Sequence, residues 1–438
     1  METIIPSFKI INSICNEQEV KTGDMYRCSV YCVEVPCEDG SLFYNTLTGE
    51  LALRPLISKT EEDKEWLIRH RFLVPQSFEE QKYADQIQSI AGLLTPAASN
   101  KTNFTILTTT DCNARCFYCY EIGIKRISMT ADTAVKVADY IAKSCGGKKI
   151  KLRWFGGEPL YNRQAIDIIC NRLKELGIEY ESSMISNGYY FTGDVSKHAC
   201  ACWNLRRIQI TIDGTETTYN RIKAYIDADE NPYCRVMDNI KLALEAGVNV
   251  TVRMNMDAQN AQDLLQLSDD LARRFSNYTN FNAYVALLHE FSGKIHKHET
   301  IQKKRESYNL IREKLAKYGI LRKYELPQSL RRVRCMADDD ECEAILPDGR
   351  VGRCEHYSES MITGSIPNED RDVEVEKQWK IPLSVPECRQ CALYPICRRL
   401  KMCEWNKDGC PEPDCGIEID ELKEQIAEAY QKYKRRNE

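Results

Sequence analysis

The chain has no long hydrophobic run. None of its 438 residues belongs to a stretch approaching the roughly 18 apolar residues of a membrane span, so no transmembrane helix and no membrane partner are expected. The start, METIIPSFKI, lacks a basic segment leading into an apolar one, which argues against a secretion signal and predicts a cytoplasmic location. An excess of positive charge is also missing. The formal net charge is −5, and the basic stretches Lys148 to Lys151 and Arg331 to Arg334 are short enough to be solvated faces, so no nucleic-acid partner is expected. With 43% hydrophobic and 29% charged residues, the composition is that of an ordinary globular protein. At about 150 residues per domain, the length suits two to four domains.

Against these absences stand 21 cysteines. Without a secretion signal, in a chain far longer than a disulfide-stapled miniprotein, clustered thiols point to metal rather than to disulfides. Nine of them lie between Cys335 and Cys415. Others, such as Cys28, Cys145, Cys170 and Cys200, are scattered through apolar patterns and read as small core residues.

Between residues 104 and 288 short apolar runs alternate with amphipathic stretches. Strands are predicted at 104–110, 149–155, 180–186, 207–213, 249–255 and 281–287 from their length and their β-branched and aromatic content. Helical patterns lie between them, one opening on Thr130 as a cap and one ending on Gly247. Six strand–helix units imply a parallel sheet with right-handed crossovers, too few for a closed eight-fold barrel. The fold class expected is α/β, a partial (β/α)6 barrel whose functional residues collect at the carboxyl ends of the strands.

The first of those ends reads DCNARCFYCYE, with three residues between Cys112 and Cys116 and two between Cys116 and Cys119. Three thiolates leave one iron of a cubane cluster without a protein ligand, open to a substrate or cofactor. The same spacing also suits one face of a helix or half of a zinc site. After the second strand come Gly156, Gly157, Glu158 and Pro159, where glycines allow close backbone approach and an exposed carbonyl or carboxylate can hold an ammonium group. The third strand ends in Ser186, Asn187 and Gly188, the fourth in ITIDGTETTYNRIKAY, and the fifth carries Arg253 and Asn255. Taken singly, each is equally well a cap or turn former.

Taken together, these residues resemble the radical S-adenosylmethionine (SAM) enzymes. Cys112, Cys116 and Cys119, with Tyr118 as the aromatic residue, match C-x₃-C-x-φ-C, and Gly156 to Pro159 match the GGEP motif. The resemblance implies a [4Fe-4S] cluster whose open iron chelates the amino acid end of SAM. One electron, from a donor such as flavodoxin or ferredoxin, then cleaves SAM to a 5′-deoxyadenosyl radical. Tyr118, Gly156, Gly157, Glu158, Pro159, Ser186, Asn187, Arg221 and Arg253 are the implied SAM-binding residues. Asp213 and Glu290, at barrel-mouth positions, are candidates for a general base.

The C-terminal third resembles the SPASM extension of peptide-modifying members, which holds two auxiliary clusters. That likeness puts Cys335, Cys342, Cys354 and Cys403 on the first and Cys388, Cys391, Cys397 and Cys415 on the second, three [4Fe-4S] clusters in all. Two departures stand: five residues rather than three precede Cys403, and Cys410 competes with Cys415 as the last ligand. Residues 1–95, with Asp39-Gly40 between alternating runs and then a helix leading into a short strand, form a small α+β domain. It resembles the winged-helix-like domains that bind a precursor peptide's leader as an added strand. The expected order is 1–95 peptide recognition, 104–300 partial barrel, 301–334 bridging helical segment and 335–438 cysteine-rich domain. The implied function is a maturase that crosslinks a ribosomally made peptide. A sulfatase-maturing enzyme and a non-catalytic iron–sulfur or zinc scaffold are the alternatives.

Overall fold

A computed structural model of the protein describes residues 1–14, 18–19, 25–55, 60–94, 100–226, 228, 231–288, 301–330, 333–356, 359–366, 368, 370–397, 399–403 and 414–437. They divide into two compact units: Met1–Ala97 with Lys323–Cys335 and Ile381–Glu438, and Ala98–Arg322 with Met336–Lys380. No helix among the described residues is long and apolar enough to cross a membrane.

The second unit is built on six parallel strands: β1 (Asn103–Thr109), β2 (Ile150–Gly156), β3 (Tyr180–Ser186), β4 (Leu205–Thr211), β5 (Asn249–Met256) and β6 (Phe281–Leu287). They lie side by side in chain order, and β1 does not pair with β6. The sheet is therefore an open partial barrel. At the β1 edge it continues with β7 (Cys342–Ile345), which runs parallel to β1 and pairs Cys342 with Asn103 and Ile345 with Ile106. Three short antiparallel strands follow: β8 (Arg350–Gly352), β9 (Ile362–Ser365) and β10 (Asp370–Arg371). Residues 336–380 thus extend the sheet because a free strand edge offers unpaired N–H and C=O groups.

Helices cover one face. In α1 (Ala131–Ser144), the Thr130 side chain caps the first turn by accepting from the Thr133 N–H at 3.1 Å. Ala134, Val137, Ala138 and Ile141, spaced at i, i+3, i+4 and i+7, are buried. The next helices are α2 (Arg163–Glu175), α3 (Gly193–Cys202), α4 (Glu216–Lys223), α5 (Pro232–Glu245) and α6 (Ala261–Phe275). Strand alternation sorts the faces. Val250, Val252 and Met254 of β5 are fully buried, whereas Thr251 and Arg253 point the other way and are only half-buried.

In the first unit, Glu2–Ile5, Leu51–Pro55, Gly40–Asn45 and Cys32–Cys37 form an antiparallel sheet in that order, with the Asp39-Gly40 hairpin where the sequence predicts it. Thr60 and Asp63 form a capping box at the start of helix Glu61–Arg69, and Leu73–Pro75 pairs with Tyr26–Cys28. The two ends of the chain share this unit's core. Leu422, Ile426 and Tyr430 of the last helix, Asp414–Asn437, pack with Val33, Leu42 and Tyr44. Cys388 and Tyr394 pack with Phe8, Tyr31 and Ile87.

Candidate radical site at the carboxyl ends of the strands

The segment after β1 is an irregular loop, so Cys112, Cys116 and Cys119 do not line a helix face. Backbone bonds fix the loop at both ends and in the middle. Thr110 N donates to Ile127 O at 2.9 Å, Ile226 N to Asn113 O at 2.8 Å and Arg115 N to Lys223 O at 2.8 Å. All three cysteines are half-buried. Ala114 N lies 3.3 Å and Asn187 Nδ2 3.8 Å from the Cys112 sulfur.

Gly156 and Gly157 pass directly beneath this loop. Gly156 has φ +116°, a backbone conformation that suits glycine, and a Cβ on it would stand 2.1 Å from Thr109 O. The Gly157 and Glu158 N–H groups donate to Thr109 O (3.0 Å) and Asp111 O (2.9 Å). Glu158 departs from expectation: instead of being presented to a ligand, its carboxylate is fully buried and turned toward the end of β3. It accepts from Leu160 N at 3.1 Å, from Ser186 Oγ at 2.9 and 3.1 Å, and from Asn187 N at 2.8 Å. Burial raises its pKa to about 7 against those stabilising bonds. Pro159 opens a single 3₁₀ turn, Pro159–Asn162. Asn187 joins the ends of β3 and β1, its Nδ2 donating to Asn113 Oδ1 at 2.7 Å.

Asp213, proposed from the sequence as a base, is fully buried. The Tyr118 hydroxyl donates to its Oδ2 at 2.7 Å, and Lys223 Nζ lies 3.0 Å from the same oxygen and 3.1 Å from the Tyr118 oxygen. That oxygen is committed to bracing the cysteine loop. Lys223 is the buried charge at this site that motif reading missed. The available signal was its place with Tyr219 and Ile222 at i, i+3 and i+4, which puts a lysine on the buried face of α4.

The remaining predicted residues are less concentrated. Arg221 is exposed on α4, and Arg253 is half-buried with Nε donating to Asn255 Oδ1 at 2.8 Å. Glu290, Cys410 and the side chain of Cys415 lie outside the described residues. Cys342 and Cys354 belong to the sheet unit, and Cys335, Cys388, Cys391, Cys397 and Cys403 to the other. Within that other unit successive turns link three of these: Cys391 N donates to Cys388 O, Tyr394 N to Cys391 O, and Cys397 N to Tyr394 O.

Residues 106–271 match the profile of the Radical SAM superfamily. This region is a radical SAM domain. In sequence, the chain is similar to a probable GTP 3′,8-cyclase of Archaeoglobus fulgidus, at 26% identity over 269 residues, 60% of this chain and 82% of that protein. A GTP 3′,8-cyclase of Sulfurimonas denitrificans is also 26% identical over 282 residues, 60% of this chain and 84% of that one. In structure, anSMEcpe with bound AdoMet superposes with TM-score 0.57 at 13% identity, covering 76% of this chain and 98% of that one. Streptococcus suis SuiB bound to S-adenosylmethionine gives 0.52 at 13% identity, covering 85% and 94%. At such low identity these two likenesses show a shared fold.

A radical SAM domain implies SAM and a [4Fe-4S] cluster, and the loop's donor chemistry fits them. Burial pushes the Cys112 thiol up to about 12 and Cys119 up to about 11, so the loop needs a positive partner to hold thiolates. N–H donors near the Cys112 sulfur are of the kind that tune cluster thiolates. Among the described residues no three His, Cys, Asp or Glu side chains converge as for a single ion. A cubane cluster distributes its thiolates over separate irons and needs no such convergence. Gly156 and Gly157 keep the radical SAM loop free of side-chain bulk along one edge.

Proposed function

We propose that the protein is a radical SAM maturase that abstracts a hydrogen atom from a ribosomally made precursor peptide, the resulting radical forming a thioether or carbon–carbon crosslink with loss of a proton to solvent and of one electron that an auxiliary iron–sulfur cluster would accept. In this reading Cys112, Cys116 and Cys119 hold the cluster. The backbone of Gly156 and Gly157 would hold the amino acid end of SAM, and Arg253 its carboxylate. When bound, the cluster and SAM supply a carbon radical able to take hydrogen from an unactivated position. Glu158, Ser186 and Asn187 lock the ends of β1, β2 and β3 into one rigid mouth, so that the bound groups meet a fixed geometry. Asp213 acts as a brace for Tyr118 and not as the base.

The observation that carries the peptide reading is the cysteine-rich stretch 335–415, which reaches well beyond residues 106–271. In this reading Cys335, Cys342, Cys354 and Cys403 would hold one auxiliary cluster and Cys388, Cys391, Cys397 and Cys415 another, as in the SPASM extension that the stretch resembles. The antiparallel sheet of the first unit has an edge strand, Cys32–Cys37, of the kind to which a leader peptide adds as a further strand. SuiB, which shares the fold over 85% of this chain, has been solved bound to its precursor peptide SuiA. A second reading, cyclisation of GTP, is favoured by the named relatives, whose likeness spans 60% of the chain.

The test uses the reconstituted full chain and a reductant. Deoxyadenosine formation that is abolished in Cys116→Ala supports a radical SAM enzyme. Tight binding and a mass change on short peptides encoded beside the gene support the maturase. A cyclised nucleotide formed from GTP, with indifference to such peptides, overturns it.

A further inference from the structure

Three cations approach the cysteine loop. Arg115 and Arg126 lie near Asp111 with side chains 32% and 56% exposed, where water screens them. Lys223 is different, with its side chain 4% exposed beside an Asp213 carboxylate that is 1% exposed. Its ammonium lies 5.7 Å from the ring centre of Tyr118 and 5.8 Å from that of Tyr219. Tyr118 stands between Cys116 and Cys119 in the chain, and the carbonyl of Lys223 itself accepts from Arg115 N. Backbone and side chain therefore fix this charge relative to the loop at separate points.

We propose that Lys223 is a positioning residue that sets the reduction potential of the loop's cluster, by holding a desolvated positive charge against Tyr118, which stands between Cys116 and Cys119 in the chain. This rests on the reading that Cys112, Cys116 and Cys119 carry the cluster. Reduction adds negative charge to the site, and a nearby fixed cation in a medium of low polarity stabilises the reduced form far more than a solvated one. Asp213 opposes the effect without hiding it: each fixed charge adds its own share to the field at the loop, so removing Lys223 alone lowers the potential. Oδ1 of Asp213 has no hydrogen-bond partner, which leaves the carboxylate weighted toward Lys223 and Tyr118 through Oδ2.

The experiment is a redox titration, followed by electron paramagnetic resonance, of full-length protein with iron and sulfide measured on the same samples. Lys223→Met should load iron like wild type and titrate at a more negative potential. Lys223→Arg should restore the wild-type value, and Asp213→Asn, which frees the cation, should move the potential the other way. A loaded Lys223→Met with an unchanged or less negative potential overturns the proposal. If that variant does not fold or load, Asp213→Asn decides: a potential that stays put or falls overturns it equally. A wild type that binds no cluster on these thiols removes the functional reading and this inference together.

Discussion

A Cβ on Gly157 would stand 2.3 Å from the carbonyl oxygen of Asp111, the residue immediately before Cys112. The second strand's turn and the cysteine loop are thus in backbone contact with no room for a side chain, and one cannot shift without the other.

Gly157→Ala is expected to push the cysteine loop away. Overpacking of this kind costs about 1–3 kcal/mol, and here the displaced atoms are main chain next to a ligand candidate. Iron bound per chain after reconstitution should fall, and SAM affinity should fall at least tenfold by equilibrium binding. Wild-type values for both would show that the contact is slack.

Asn187→Ala removes the donor to Asn113 Oδ1, an acceptor on a residue only 1% exposed. A buried acceptor left without its partner costs about 1–3 kcal/mol. Urea unfolding should show that loss, and Asn187→Ser should recover little of it because the shorter hydroxyl does not reach.

Glu158 gives a pH signature. Its carboxyl, raised by burial to about 7 from the ordinary value of 4.5, binds its proton more tightly folded than unfolded. The stability from that proton is present below the unfolded value and is lost as pH rises through the folded one. Glu158→Gln, which keeps the acceptor oxygen without the charge, should gain on wild type between pH 4.5 and 8 by a difference on the order of 3 kcal/mol. Parallel stability curves for the two proteins across this range would refute the assignment.

Ile345 tests whether β7 is integral to the sheet. Fully buried and paired with Ile106, it should cost about 2–5 kcal/mol when changed to Ala, measured by denaturant unfolding. A loss under 1 kcal/mol would mark the strand as an appendage.

How much of this was legible in the sequence differs from residue to residue. The six strands fell within two residues of their predicted positions, since each couples a short β-branched run to a following amphipathic helix, and both periods are local. The cysteine loop and its glycine turn were visible as spacings. The partner of β1 was not. Residues 342–345 reach β1 from more than 230 positions away, and hydrophobic pattern carries no information on which edge a strand will join. Glu158 and Lys223 were misjudged or missed for a related reason. Whether a charged side chain faces solvent or a buried partner depends on what neighbouring strands place beside it, which for Glu158 is Ser186 and for Lys223 is Asp213.

The late arrival of β7 has a bearing on biogenesis. The six parallel strands and the cysteine loop are complete by residue 287, yet the strand that closes the β1 edge begins only at Cys342. A nascent chain therefore leaves the ribosome with that edge bare during the synthesis of some 55 further residues, at about 5–20 residues per second a window of several seconds. In that interval β1 is a template for mispairing with another chain, so conditions that slow translation across residues 288–341 should favour aggregated over active protein.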